Sequence, residues 1–299
     1  MKRCLRLSLL SAMLSASAPS LMAQSWDALR DARDWAKQDK DDSFTFYDHT
    51  TRTLRTWMRE GGLTGSLPVG VLDDQPVRWV LDPRNNAWVA HGSQVSHIDK
   101  TSRIITKFKA PAEVGDVAWD SKGFVLSYRS STPYLEKRDY NKGALLWSSG
   151  TKPVGGDGPA AQDRRPIVVQ DSGNVLMADG RALNLIILDG ETGKKLSETN
   201  LHLANGEPAP ALEGPAFDRG PLVLWPGKDV VLASVKASQV PATLRAGLQG
   251  VVLARLDLAH SLLEFLPTGL DESHFLVGVL ESDAIFINPK GGLIQVKIK

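Results

Sequence analysis

One order of short apolar strands and turns recurs along most of this chain. In residues 77–108, VRWVLD leads through PRNN to AWVAHG, through SQ to VSHID, and through KTS to RIITKF. Between Gly115 and Ser149 the order returns as GDVAWD, SKG, FVLSYR, YLEKRD, YNKG and ALLWSS. Between Pro166 and Thr199 it reads PIVVQD, SGN, VLMADG, LIILDG, ETG and KKLSET. A looser copy spans Leu222 to Leu266, and a final one, HFLVGVLESDAIFINPKGGLIQVKIK, stops after its third strand. Apolar residues alternate or run unbroken over four to seven positions, the patterns of half-buried and fully buried strands.

Four short antiparallel strands repeated every 40 to 70 residues predict an all-β protein, a β-propeller of five to six four-stranded blades. FTFYD and TLRTWM, within residues 44–58, have the form of third and fourth strands without their first two. The ring is therefore expected to close by N- and C-terminal strands completing one blade, which leaves no exposed sheet edge at the junction. Five first-strand patterns against six third-strand patterns leave the count at five or six. A β-sandwich is the alternative, but it does not require repeated four-strand units.

Asp82, Asp120 and Asp171 with their turns, and AWVAHG at 87–92, resemble the units of NHL-type and other six-bladed β-propeller proteins. The resemblance covers most of residues 44–299 and implies the fold. PGKD and ESDA replace the acidic turn in the last two units, so no active site is carried over with it.

The chain begins MKRCLRLSLLSAMLSASAPSLMAQ, where Lys2, Arg3 and Arg6 precede an apolar run and small residues, the layout of a secretory signal peptide cleaved after Ala23. Residues 24–42 then read as a short amphipathic helix and linker, with Trp26, Leu29, Ala32 and Trp35 at helical spacing, and residues 43–299 as the propeller domain. Cys4 is the one cysteine, so the exported chain has no disulfide framework and no thiolate metal site. The expected location is exported, periplasmic or secreted. The formal charge of +1 becomes −2 once the three basic residues of the first 23 are removed. That balance gives no reason to expect nucleic acid or an anionic surface as partner, and no later segment has the length of a transmembrane helix.

The turn aspartates have a structural role available. Asp82, Asp120 and Asp171 end first strands, and Asp48, Asp99, Asp139, Asp189 and Asp257 end third strands; there a carboxylate accepts backbone N–H groups and closes the turn. Trp57, Trp79, Trp88, Trp119, Trp147 and Trp225 fall within strands and are expected between blades.

In such a blade the first-to-second and third-to-fourth hairpins share one face, and these are short here. The long segments, 59–75, 150–165, 202–220 and 236–247, fall on the opposite face. Long loops on a rigid scaffold concentrate binding groups, so function is expected on this loop face and at the mouth of the central channel. Its candidate ligand-binding residues are Asp163, Arg164, Arg165, Arg181, His202, Asp218, Arg219 and Arg245. Converging arginines there would hold a carboxylate or phosphate bidentately. The expected function is a binding scaffold for a protein, peptide or small ligand.

Enzymatic motifs are sparse. The six histidines form no HExxH, and no Gly-x-Ser-x-Gly elbow occurs. No cofactor is expected from the residues. The alternative function, a propeller hydrolase or lyase, would place a divalent metal or an acid/base pair in the central channel, drawing on Glu113, Asp116, Asp163, Asp218, Glu272 and His274.

Overall fold

The computed structural model describes residues 36–38, 43–58, 62–70, 77–82, 84–129, 134–151, 165–178, 183–214, 220–288 and 292–298. They form six antiparallel sheets, five of four strands and one of three. Blade I holds β1 (Ala36–Gln38), β2 (Phe44–Asp48), β3 (Thr53–Met58) and β4 (Gly62–Pro68). Blade II holds β5 (Val77–Leu81), β6 (Ala87–His91), β7 (Gln94–Ile98) and β8 (Ile104–Lys109). Blade III holds β9 (Val114–Asp120), β10 (Gly123–Tyr128), β11 (Leu135–Asp139) and β12 (Leu145–Ser149). Blade IV holds β13 (Ile167–Val169), β14 (Val175–Ala178), β15 (Leu185–Leu188) and β16 (Lys195–Glu198). Blade V holds β17 (Val223–Leu224), β18 (Val230–Lys236), β19 (Val251–Asp257) and β20 (Leu262–Leu270). Blade VI holds β21 (Phe275–Leu280), β22 (Asp283–Asn288) and β23 (Gly292–Lys297). The protein is a six-bladed β-propeller.

First strands of neighbouring blades touch, β5 with β9, β9 with β13, β13 with β17, β17 with β21 and β21 with β1, so they line the axis. Second strands are covered on both faces by adjacent blades, which is why GFVLSY (β10) and VLMA (β14) are apolar and buried throughout. Outer strands are covered on one side only, and β16 (KLSE) is largely exposed. Six apolar clusters fill the six junctions between blades. Tyr47, Leu54 and Trp79 join blades I and II; Trp88, Phe124 and Tyr128 join II and III; Trp147, Met177 and Leu188 join III and IV. Leu176, Val231 and Val252 join IV and V; Leu232, Leu253 and Phe286 join V and VI; Phe44, Trp57 and Phe275 join VI and I. All six strand tryptophans named above pack in these clusters, as expected from their positions.

Closure differs from the expected shared blade. Phe44–Asp48 and Thr53–Met58 are second and third strands, not third and fourth, because β1 lies inside them and β4 outside. Two segments therefore differ from their sequence reading. Ala36–Gln38, inside the stretch read as helix and linker, is the innermost strand of blade I, and Gly62–Pro68, inside a predicted loop, is its outermost. A three-residue strand is too short to show a period, and GLTGSLP has the glycine content of a loop. The signal segment and the Trp26 to Trp35 stripe lie outside the described residues. The ring instead closes by packing of β1 and β2 on β21 and β22. The Gln38 side-chain amide completes the junction, its Nε2 donating to the Val279 carbonyl at 2.7 Å and its Oε1 accepting from the Val279 N–H at 2.7 Å. Gly278 makes room for it, since a Cβ there would lie 2.4 Å from Gln38 Oε1.

The turn chemistry follows the sequence expectation at seven of the eight aspartates. Asp82 accepts from the N–H groups of Arg84 (2.8 Å) and Asn86 (2.7 Å), and Asp120 from Lys122 (2.7 Å). Asp48 binds the N–H groups of Thr50 and Thr51, Asp99 those of Thr101 and Arg103, Asp139 that of Lys142, Asp189 those of Glu191 and Thr192, and Asp257 that of His260. The Thr101 hydroxyl, then the Arg103 N–H, hold the Asp99 carboxyl below its usual range. At Asp171 the turn is organised by its neighbours: Gly173 donates to the Gln170 carbonyl and Asn174 to the Ser172 hydroxyl. Asp48 ends the second strand of its blade and not the third, as read from the sequence, so its turn lies on the loop face rather than the hairpin face.

Candidate functional site: the loop face and channel mouth

Among the described residues the loop face carries its longest ordered segments at blades IV and V. After β18 the chain makes a short helical turn, Ala237–Gln239, and folds back through successive turns in which Leu244 donates to Pro241 and Leu248 to Arg245, both at 2.9 Å. The Ala237 N–H bonds the Gly250 carbonyl at 2.8 Å and closes the segment. Gly250 has φ 60°, and a Cβ there would meet the Leu270 carbonyl oxygen at 1.9 Å, so only glycine fits this base. The blade IV-to-V link is zipped to it. Glu213 donates its N–H to the Gln239 carbonyl at 2.7 Å and pairs its carboxylate with Arg245 Nη2 at 2.7 Å, while Arg245 also donates to the carbonyls of Val240 and Ser238, both at 2.9 Å. Leu201, Leu212, Ala237 and Val240 are buried in the core between these blades. Residues 201–214 and 237–250 therefore form one ordered lobe, anchored from beneath by apolar side chains and laterally by Arg245.

The channel mouth is crossed by an ion pair. Lys37 on β1 reaches Asp116 on β9 at 2.5 Å and also donates to the Val117 carbonyl, linking blade I to blade III. Asp116 is fully buried and accepts two further N–H groups, from Val117 (2.7 Å) and, in blade IV, from Ile167 (3.1 Å). Beside it, buried Arg78 donates from Nε to the Gly115 carbonyl (3.0 Å) and from Nη1 to the Val77 carbonyl (2.9 Å). Three donors on one buried carboxylate, from blades I, III and IV, tie those blades together at the channel mouth. Lys37 and Gln38 were missed because β1 carries no periodic signal. Arg78 and Asp116 did carry one, a charge inside an otherwise apolar first strand.

Of the predicted ligand-binding residues, Asp163, Arg164, Arg181, Asp218 and Arg219 lie outside the described residues. The other three sit in separate places. Arg165 is buried, with φ 44°; its Nη1 donates to the Tyr128 carbonyl (2.9 Å), its guanidinium lies 4.3 Å from the centre of the Tyr134 ring, and its carbonyl accepts the Ser127 hydroxyl (2.7 Å). It pins blade IV to blade III. Arg245 braces the lobe. His202 is exposed and bridges to Leu262, the partner of Asp257 at the hairpin end of the outermost strand of blade V. The first segment of the lobe therefore begins at the outer rim toward the hairpin side, and His202 is not at the channel mouth as expected. On the loop face Glu113 pairs with Arg129 at 2.5 Å beside a shallow cleft of about 470 Å³ lined by Gly92, Ser93, Lys109 and Pro111. His274 Nδ1 lies 3.2 Å from Asp271 Oδ1. Among the described residues no three His, Cys, Asp or Glu side chains group as a metal site.

No protein-family model and no curated protein sequence matches this chain. Solved structures match it by shape. Virginiamycin B lyase from Staphylococcus aureus aligns over 88% of this chain and 80% of its own at 10% identity, with a TM-score of 0.56. The WD40 domain of Neurospora crassa Pan2 aligns over 89% and 76% at 12% identity (TM-score 0.54), and a chain of a mitotic checkpoint complex over 99% and 99% at 9% identity (TM-score 0.56). What they share with this chain is the propeller. A lyase, a WD40 domain and a chain of a checkpoint complex stand side by side among them, so the fold leaves the function to the site.

Proposed function

We propose that this protein is an exported propeller scaffold that binds a protein, peptide or small ligand through its loop face, with the lobe of residues 201–214 and 237–250 as the principal contact. One observation carries the reading: two long segments that could have projected separately are locked together by Arg245 and Glu213 and seated on the core. A surface held in one conformation before binding loses less entropy on binding. The charged groups of the channel mouth, Lys37, Arg78 and Asp116, are engaged with blade backbones or with one another, which favours a structural use of the channel and a binding use of the lobe. Export is supported by the basic and apolar opening of the chain. No helix among the described residues is long and apolar enough to cross a membrane.

Thr243 and Ala246 are exposed on the lobe, so exchanging both for arginine adds bulk and charge without entering the core. Native mass spectrometry of the protein recovered from the cell envelope should show a bound molecule that the double variant lacks, at unchanged melting temperature. A protein bare in both forms, or equally loaded in both, contradicts the proposal.

A further inference from the structure

Six large apolar side chains stand exposed among the described residues: Met58, Ile104, Ile105, Leu145, Leu146 and Leu196. All six lie at one equivalent corner, the third-to-fourth hairpin of blades I to IV, on the face opposite the lobe. A repeated backbone device puts them there. In blade II, Ile98 pairs with Ile104 but His97 with Thr106; in blade III, Arg138 pairs with Leu145 but Lys137 with Trp147; in blade IV, Leu188 pairs with Lys195 but Ile187 with Ser197. The residue left over is Ile105, Leu146 or Leu196, each more than half exposed. A β-bulge bends its strand and re-aims the extra side chain, and here it aims an apolar one outward three times. Blade I has the bulge with Thr64 as the extra residue, whereas in blade V the hairpin pairs without a shift, Asp257 with Leu262 and Leu256 with Leu263.

The charges at this corner lean basic. Arg103 pairs with Asp99 at 3.1 Å, Lys195 with Glu198 at 2.6 Å and Lys122 with exposed Glu191 at 2.7 Å. Beyond these pairs, Lys100 and Lys107 in blade II, Lys142 in blade III and Lys194 in blade IV are exposed around the bulged residues. The neighbouring carboxylates Asp99, Asp139 and Asp189 accept backbone N–H groups of their own turns. A near-neutral whole chain thus presents a basic, apolar-studded arc.

We propose that this arc is a docking surface for an anionic lipid bilayer. Each bulge falls directly inside its turn aspartate, so the three side chains occupy equivalent positions on separate blades. Equivalent points spread over three blades suit a broad, continuous partner, whereas a peptide needs a groove. Apolar tips ringed by lysines are the chemistry of interfacial association: the tips enter the acyl boundary and the ammonium groups meet headgroup phosphates. A second copy of this chain would set lysine against lysine. Docked this way, the ring holds its loop lobe away from the bilayer and available to a partner; the inference does not depend on what that partner is.

Flotation of the full chain, as the cell processes it, tests this with vesicles of phosphatidylcholine alone and of phosphatidylcholine with about one third phosphatidylglycerol. Binding to the anionic vesicles should be at least about tenfold stronger, should weaken with salt, and should fall at least about tenfold in Ile105→Ser/Leu146→Ser/Leu196→Ser. A second measurement serves if that variant does not fold. In a Cys4→Ser background, a polarity-sensitive dye on Leu146→Cys should shift to the blue on anionic vesicles, and the same dye on Ala242→Cys, in the lobe, should not. Equal binding to both vesicle types, an unchanged triple variant, or a shift at Ala242 with none at Leu146 overturns the proposal, the first two leaving the arc to a protein surface.

Discussion

Gln38→Leu removes the one side chain that satisfies both polar groups of Val279 at the closing junction. Val279 is 1% exposed, so its N–H and carbonyl lose partners that water does not replace. An orphaned buried backbone group costs about 1–3 kcal/mol, which puts the pair at about 2–6 kcal/mol. For a domain of this size about 2–4 °C is lost per kcal/mol, so the melting temperature should fall by roughly 4–24 °C. Gly278→Ala attacks the same contact from the other side. Its Cβ would stand 2.4 Å from Gln38 Oε1 and 2.8 Å from both Gln38 Cβ and Phe44 Cε1, and it must expel the amide to fit. The two substitutions destroy one interaction, so the double variant should lose clearly less than the sum of the single losses. Thermal melts followed by far-ultraviolet circular dichroism, repeated as guanidinium titrations, measure all three. A Gln38→Leu protein melting within about 1 °C of the parent, or fully additive losses, would refute closure through this contact.

Three other substitutions read the remaining framework. Asp116→Ala removes the acceptor of three donors and should cost about 3–5 kcal/mol in guanidinium unfolding, whereas Lys37→Met leaves Asp116 its two backbone donors and should cost less; the reverse order would contradict the cross-channel arrangement. His97 stacks on Trp88 at 4.6 Å with neither ring nitrogen hydrogen-bonded, and burial pushes its pKa below 6.5 against the opposing pull of Asp82, the Asn141 backbone and Asp99. The folded state favours the neutral ring, so its contribution is complete above about pH 6.5 and is lost as pH falls through the folded pKa. The melting temperature of the parent should therefore drop below that of His97→Phe progressively between about pH 7 and pH 5, and parallel curves would exclude the effect. Arg165→Ala should lower stability by about 1–3 kcal/mol through the lost Tyr128 and Tyr134 contacts, as measured by guanidinium unfolding, which makes it a probe of blade packing and not of ligand binding.

The ring was legible because its signals are local and repeated. Blades II and III each restate an apolar strand, an aspartate-closed turn and a strand tryptophan, the other blades repeat part of that set, and Asp82, Asp99, Asp120 and Asp189 hold their turns as their positions imply. Ring closure was not legible, because it rests on a three-residue strand whose partner across the junction lies more than 200 residues away in the chain, as Gln38 does from Val279. The site was partly legible. The loop face follows from segment lengths, but Arg165 and Arg245 look alike in sequence as arginines of long loops, and only tertiary contacts separate a buried pin between blades from a brace on the lobe. The outward bulges were hidden for another reason: IITKF, ALLWSS and KKLSET show apolar residues where a strand needs them, and pairing register alone decides which of them faces water.

The claim that this propeller works through its lobe is tested most directly by photocrosslinking in living cells. A photoreactive residue in place of exposed Ala242 samples the lobe, and one in place of exposed Arg84 samples the hairpin face. Illumination should yield a discrete protein or peptide adduct, or attachment of a small ligand detected by mass, from position 242 and none from position 84. Adducts from position 84 alone, or the same adducts from both positions, would contradict it.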